Sequence, residues 1–507
     1  MAYLLGIDIG TSGTKTVVFD ELGNVMATNT EEYPLYQPRN GWAEQDPEDW
    51  WKAVVHGITA VLARSGIKPE NIQGIGLSGQ MHGLVMLDKE GNVLRHSIIW
   101  CDQRTAKECE EITQRVGYDK LIEITANPAL TGFTASKIMW VMNNEPQLYE
   151  KCAHILLPKD YIRFKLTGEF ATEVSDASGM QLLDVPNRQW SDYVLQKLGI
   201  DKALLGKVYE SPEITGMIDN YADSLTGLKV GTPVVGGAGD NAAAAVGTGV
   251  VSDGRAFTTI GTSGVVYAHT SKVAIDAKGR VHTFCSAVPG QWHIMGVTQA
   301  AGLSLRWFRD HFCKSEIKVA NLMEIDPYDL MLKEAETVPI GANKLIYLPY
   351  LMGERTPHLD PDARGVFFGI SAIHTKKDLL RAILEGVSYS LKDCLEVFGE
   401  MGISVDNMMT AGGGGKSTLW RQMLADLYNC PVNTIVSKEG PALGAALLAG
   451  VGTGIYKSVA EACDIVIKTD IIQQPIKQNT EEYKKYYQIY KNVYPALKQN
   501  FKALQQL

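Results

Sequence analysis

The chain has no long apolar run. Its most apolar stretch, Pro441 to Val451, is too short and too rich in Ala and Gly to span a bilayer. Cysteine is sparse and unorganised, eight in 507 residues with no CxxC pair. That pattern disfavours a disulfide framework or a zinc site, and it fits a reduced, cytoplasmic setting. Basic runs are missing too. A formal net charge of −9 without a Lys/Arg cluster argues against nucleic acid or an anionic membrane as partner. The opening MAYLLGIDIG has no basic residue ahead of its apolar run, and Asp8 interrupts it, so no secretory signal is expected. No low-complexity tract or disordered linker stands out, so the domains should pack closely with the active site between them.

What is present is an ordinary globular composition, 45% hydrophobic and 21% charged, in a chain too long for one core. The pentapeptide Ile-Gly-Thr-Ser-Gly occurs at residues 9–13 and again at 260–264, close to half of the 507 residues apart. Two related halves are the simplest reading. Small residues let several backbone N–H groups point at one anion, so each loop suits phosphate. Two such loops across a cleft could hold the ends of a triphosphate.

Residues 3–9 read as a buried strand, and Thr16-Val17-Val18-Phe19 as a second. The first loop is therefore a hairpin, whereas a P-loop runs from strand into helix. Asp20-Glu21-Leu22-Gly23-Asn24 is turn chemistry, and Asp88-Lys89-Glu90-Gly91-Asn92 repeats it. Helical patterns cover about 47–64, 105–116, 136–143, 376–399 and 480–497. The last carries Tyr483, Tyr486, Tyr487, Tyr490 and Tyr494 at helical spacing, which predicts docking onto the body. Thr410 to Ser417 nearly makes a P-loop, but Thr410 stands where the first glycine is required. Its glycines could also form a flat platform against an adenine ring, or merely a tight turn.

Asp8 closes a buried strand directly before a phosphate-type loop. A carboxylate there can hold Mg2+ or its waters. Gly79-Gln80-Met81-His82-Gly83 lies between apolar strands and offers the mixed side chains that a polyol or sugar needs, although a lone His is more often a satisfied core residue. Asp240 ends the Gly-Gly-Ala-Gly-Asp bend and opens a helix. It is either an N-cap or a carboxylate in a cleft, where the helix dipole would keep it ionised and favour an incoming phosphoryl group. As a base it would accept the proton of a substrate hydroxyl attacking the γ-phosphate.

The paired loops resemble those of the actin-like ATPase superfamily. Gly132 to Asn144, with Lys137 and Trp140, and Gly365 to Glu385 resemble the two signatures of FGGY carbohydrate kinases. GQMHG, Trp100-x-Asp102-x-Arg104, SDASG (175–179), GGAGDNAAAAVG and GERTPH (353–358) are similar to the branch of that family acting on xylulose. The resemblance implies an α/β fold of two actin-like (ribonuclease H-like) domains, 1–245 and 246–507. Each would hold a mixed five-stranded sheet flanked by helices, with the active-site cleft between them. It implies MgATP and a small sugar as ligands, no nucleic-acid or membrane partner, and a homodimer as the expected assembly. Asp240 would be the catalytic base. Met81, His82 and Asn241 would contact sugar, with Gln80, Trp100, Asp102 and Arg104 touching it or shaping the pocket wall. Thr11, Ser12, Gly13, Thr14 and Lys15, with Gly261 and Thr262, would hold phosphates. Gly413 and Gly414 would lie against adenosine, and Asp8 would hold Mg2+ through water. Kinases of ribulose, gluconate or glycerol, a non-catalytic ATP or sugar sensor, and a P-loop ATPase are the alternatives.

Overall fold

The computed structural model describes residues 2–437 and 439–507. The first half opens with strands β1 (Tyr3–Ile9), β2 (Gly13–Asp20) and β3 (Val25–Glu32), joined as antiparallel hairpins. The turn into β3 forms because the Asp20 carboxylate accepts from the N–H groups of Leu22 and Asn24 and from the Asn24 amide. The repeated turn at Asp88 is built the same way. Helix α1 (Pro47–Ser65) starts where Asp46 accepts from Glu48 N–H and stops at left-handed Gly66. It returns the chain to β4 (Ile72–Gly79), which runs parallel to β1. Helices α2 (Ala106–Val116) and α3 (Thr134–Asn144) follow. Strands β5 (Ile214–Met217), β6 (Pro233–Val235) and β7 (Ala238–Gly239) then complete the sheet, and α4 (Asp240–Gly247) leaves it.

The second half repeats the plan. Strands β8 (Gly254–Ile260), β9 (Gly264–Thr270), β10 (His282–Cys285) and β11 (Trp292–Thr298) precede helices α5 (Gly302–Phe312) and α6 (Lys376–Glu400). Strand β12 (Val405–Ala411), helix α7 (Thr418–Tyr428), strand β13 (Val432–Ile435), helix α8 (Gly440–Gly452), strand β14 (Thr469–Gln473) and helix α9 (Lys477–Leu504) follow. The order β3-β2-β1-β4-β6 in one sheet matches β11-β9-β8-β12-β13 in the other, with the same parallel and antiparallel pairings. The duplicated pentapeptide thus marks duplicated topology. Each sheet has seven strands, where the sequence reading expected five. The surplus lies at the margins: β5 in the first sheet, β10 and β14 in the second. In addition, one strand is broken into β6 and β7 by Gly236-Gly237, with Gly237 at φ 68. These pieces are too short to carry a periodic signal.

The tyrosines of α9 dock as expected. Tyr483 pairs with Arg381, Tyr487 with Asp393, Tyr490 with Tyr350 and Tyr494 with Asp360. Helix α8 does something the sequence did not announce. It belongs to the second half yet lies on the first sheet, against β1 and β4, and crosses α4. Glycine permits the approach. A Cβ on Gly76 would sit 1.8 Å from the Ala445 carbonyl oxygen, one on Gly6 2.0 Å from that of Ala442, and one on Gly444 1.9 Å from that of Ala243. The shared core mixes Leu4, Val17, Ala242 and Val246 with Leu443 and Leu447. Gly76→Ala should therefore cost about 3 kcal/mol or more, read as a lower urea midpoint. Gly399→Ala, whose Cβ meets nothing, should stay within ~0.5 kcal/mol of the parent.

Candidate active site

Three parallel strands of the first sheet end side by side: Ile9 is in register with Gly79, and Gly79 with Gly239. Their ends carry the Asp8 loop, the Gln80-Met81-His82 turn and Asp240-Asn241. Ligands of open α/β sheets bind at this kind of edge. The bend before Asp240 is held from below. Gly239 N–H donates to Ser175 Oγ (3.1 Å), Ser175 Oγ donates to Glu173 (2.8 Å), and Glu173 faces the buried ammonium of Lys159 (3.3 Å). Met81 packs directly under Gly239, where a Cβ would meet its Cγ at 2.9 Å.

Gly239 is the N-cap of α4 and Asp240 its first helical residue, so the capping role is not Asp240's. Asp240 Oδ1 accepts from the Asn241 backbone N–H (2.7 Å) and the Asn241 amide (2.9 Å). The sequence reading had the helix dipole keeping this carboxyl ionised. Burial overrides it and, with the nearby charge of Asp8, pushes Asp240 up to about 7. Asp8 is raised as well, chiefly by burial, against the lowering effects of the Ser78 hydroxyl (2.8 Å) and the Lys15 charge. Asp8 and Asp240 sense each other's charge, and among the described residues only Lys15 offsets it nearby, a pair of oxygen donors that suits a hard cation. No group of three His, Cys, Asp or Glu converges among the described residues. Mg2+ takes one or two carboxylates and keeps waters and phosphate oxygens as its other ligands, so a two-carboxylate set is the kind of donor pair it uses.

His82 has φ 69, uncommon for a residue with a Cβ, and its backbone is over-determined. Its carbonyl accepts from the Thr134 hydroxyl (3.1 Å) and from the ammonium of fully buried Lys137 (2.7 Å). Lys137 of α3 thus braces the turn from behind. The imidazole lies tilted against Phe133, with centroids 4.6 Å apart, and is 6.2 Å from Phe284 of the second half. Burial first, then the charges of Lys137 and Arg355, lower its pKa to about 3, so the ring is neutral. Its Nδ1 lies 2.9 Å from the Gly179 carbonyl and must donate to it, which leaves Nε2 as an acceptor for a hydroxyl.

The other sugar-side candidates divide. Trp100 is exposed, and its indole N–H donates to Thr11 Oγ1 (2.8 Å), joining the sugar wall to the phosphate loop. Asp102 and Arg104 are sealed away from the cleft. Asp102 accepts from Ala43 N–H and the Arg104 guanidinium, which lies 3.6 Å over Trp42 and 2.8 Å from Glu44. Gln80 is also buried. Its amide donates to Gln45 (2.8 Å), and Gln45 donates to the Thr11 carbonyl (2.7 Å). These three shape the wall and the loop.

In the phosphate loop, Gly10 N–H bonds the Gly13 carbonyl (3.0 Å), and Gly261 N–H makes the matching bond to Ser263 (3.0 Å). Thr11, Ser12 and Gly13 stay at the surface of the first loop. Thr14 turns inward, its hydroxyl facing that of Tyr33 (3.4 Å), which donates to the Gly10 carbonyl (2.5 Å). Lys15 is paired with Glu439, just ahead of α8, at 2.5 Å. Across the cleft, Gly261, Thr262, Gly413 and Gly414 line one cavity of about 350 Å3 with Arg306, Tyr328 and Trp420. The P-loop reading of 410–417 does not survive. Lys416 lies in a short 3-10 turn and Ser417 caps α7, accepting from Trp420 N–H, while Arg421 holds the carbonyls of Gly415 and Lys416.

In the sequence, SDASG and GERTPH carry the family resemblance but no individual residue role. The structure puts Ser175 under the Gly239-Asp240 bend and Gly179 against His82, and the charge of Arg355 is felt at His82. Gln45, Ser78, Arg306 and Tyr328 carried no signal of their own.

Residues 3–247 match the model of the FGGY family of carbohydrate kinases, N-terminal domain, and residues 256–453 that of its C-terminal domain. A xylulose kinase of Bacillus subtilis (strain 168) is 41% identical over 98% of this chain and 98% of its own length. A ligand-bound xylulose kinase of Lactobacillus acidophilus superposes with a TM-score of 0.92, covering 99% of this chain and 100% of that one at 26% identity. A gluconokinase of Bacillus licheniformis is 33% identical over 99% of this chain and 97% of its own length. The chain belongs to the FGGY family of carbohydrate kinases and is an ATP-dependent sugar kinase.

Proposed function

We propose that this FGGY kinase phosphorylates O5 of D-xylulose, with Asp240 as the general base. The observation that carries the mechanism is the placement of Asp240: at the end of the sheet, beside the Met81-His82 turn and within reach of the Asp8 charge, which together with desolvation raises its carboxyl to about 7. Near-full-length similarity to xylulose kinases supports the choice of sugar. His82 Nε2 accepts from one sugar hydroxyl, and Met81 lines the floor. Asn241, already bonded to Asp240, presents its amide oxygen to the same sugar. As O5 attacks the γ-phosphorus in line, the O5–P bond forms, the bond to the β,γ-bridging oxygen breaks, ADP leaves with that oxygen, and the O5 proton ends on Asp240. A base near pH 7 combines a useful ionised fraction with useful basicity. Thr11, Ser12 and Gly13 with Gly261 and Thr262 hold the phosphates, and Lys15 exchanges Glu439 for a phosphate oxygen. Gly413 and Gly414 lie against adenosine. Asp8 would hold Mg2+ through water, and the ion would supply neutralisation of phosphate charge. Residues 1–245 and 246–507 are the two bodies that close, and a second copy of the chain is the expected assembly partner.

Gluconate or another polyol is the second reading, favoured by the gluconokinase relative. A coupled ADP-release assay over ketoses, aldoses, sugar acids and polyols decides. D-xylulose should give the highest kcat/KM; a higher value for gluconate, ribulose or glycerol would replace it. His82→Ala should raise the sugar KM about 10- to 100-fold, since it deletes an acceptor in a dry pocket, while the ATP KM stays within about threefold. Equal rises in both would place His82 away from the sugar.

A further inference from the structure

The Arg355 guanidinium is unusual in this molecule. It is mostly buried, yet no hydrogen bond or ion pair engages its side chain among the described residues. Its neighbour Glu354 is committed elsewhere, accepting from the Thr298 hydroxyl (2.7 Å), Gln299 N–H (3.0 Å), the Ser390 hydroxyl (3.2 Å) and Arg355's own N–H (2.7 Å). The segment is firmly placed. Thr356 N–H donates to the Val297 carbonyl (3.0 Å), and Thr356 Oγ1 accepts from Val297 N–H (3.1 Å) and donates to the Arg280 carbonyl (2.8 Å). Val297 and Met295 form one apolar cluster with Phe133 and Phe284, the rings that flank His82. Arg355 therefore stands at the His82 end of the pocket. Its charge is felt at His82 and His282, whereas Asp240 senses Asp8.

We propose that Arg355 is a sugar-binding residue supplied by the second half, donating to the C2 carbonyl oxygen of the ketose and selecting the ketose over its alditol. An unpaired guanidinium offers five donors and no acceptor. A carbonyl oxygen only accepts, so the two fit. A hydroxyl at C2 brings an extra proton to a donor-only neighbour, and a buried O–H left unbonded is costly. Bound sugar thereby gives hydrogen-bond partners to a guanidinium that has none among the described residues and feels only the charge of Glu354. This rests on the xylulose reading.

The test is steady-state kinetics of wild type, Arg355→Met and Arg355→Lys with D-xylulose, xylitol and gluconate, plus thermal melts with and without D-xylulose. Arg355→Met should lower kcat/KM for D-xylulose about 10- to 100-fold, mainly through KM, since a charged hydrogen bond is lost. The ATP KM should stay within about threefold, the xylulose-to-xylitol preference should fall toward one, and the melting shift produced by xylulose should shrink. The sugar-free melting temperature should hold or rise, because a desolvated guanidinium without a hydrogen-bond partner has been removed. Should Arg355→Met fail to fold, Arg355→Lys, which keeps the charge but loses the planar fork, must still show the reduced preference. An unchanged xylulose KM, a retained preference, or a parallel rise in ATP KM overturns the proposal. So does a wild type that favours gluconate and loses that preference in Arg355→Met, which would assign the guanidinium to a carboxylate. A wild type that turns over no ketose overturns this inference together with the proposed function, whereas an active wild type beside an indifferent Arg355→Met overturns this inference alone.

Discussion

Asp240→Ala should lower kcat by about 10^3-fold or more while sugar and ATP still bind, because the attacking hydroxyl would lose the carboxylate proposed to take its proton. Asp240→Asn should do the same with the shape retained. Turnover by either variant within tenfold of the parent would end the assignment. The raised pKa makes a second, opposite forecast about stability. Between the ordinary value of 3.8 and about 7, folded Asp240 keeps a proton that the unfolded chain has lost. Folding thus weakens as pH rises through that window. Asp240→Asn removes the penalty, so the variant should match the parent near pH 4 and exceed it by on the order of 2–4 kcal/mol at pH 8. Urea titrations at the two pH values read this directly. An inactive variant that is also more stable at pH 8 is the signature of a charge kept buried for chemistry. In the parent enzyme, kcat/KM should fall as pH drops below about 7, following protonation of the base.

Asp8→Asn is the second large effect. It should lower kcat about 100-fold, by analogy with removing one electrostatic group from a transition-state site. It should also raise the Mg2+ concentration needed for half-maximal rate. The sign of a further change is fixed by the geometry. Asp8 is one of the two causes that raise Asp240, so its neutralisation should move the acidic limb of the kcat/KM profile to lower pH. Unchanged metal dependence with an unmoved limb would separate Asp8 from both roles.

The sequence was most informative where chemistry forces local rules. The IGTSG loops, the Asp-rich turns at 20 and 88, and the amphipathic tyrosine face of α9 all depend on neighbours close in sequence, and all took the predicted form. Asp240 was findable because a carboxylate after a glycine bend and before an alanine helix is a local pattern. Its ionisation was not. That depends on Asp8, far away in the chain, and on burial that no window of residues reveals. Arg104 and Gln80 show the same limit from the other side. Their types suit sugar binding, but whether a guanidinium faces the cleft or lies over Trp42 is decided by tertiary packing. The margin strands β5 and β14 escaped notice because four or five residues barely show a period.

The crossing of α8 onto the first sheet has a consequence for ancestry. A protein made by copying one half should, in principle, be divisible at the copy point. This one is not. Once the glycines of β1 and β4 had accepted a helix from the far copy, and Ala245 of α4 had joined the core of Phe257, Tyr267 and Met409, each half lacked a piece that only the other encodes. A gene cut near codon 250 would yield two incomplete polypeptides, each needing the other to finish its core. The exchange that binds the halves also makes the doubling irreversible.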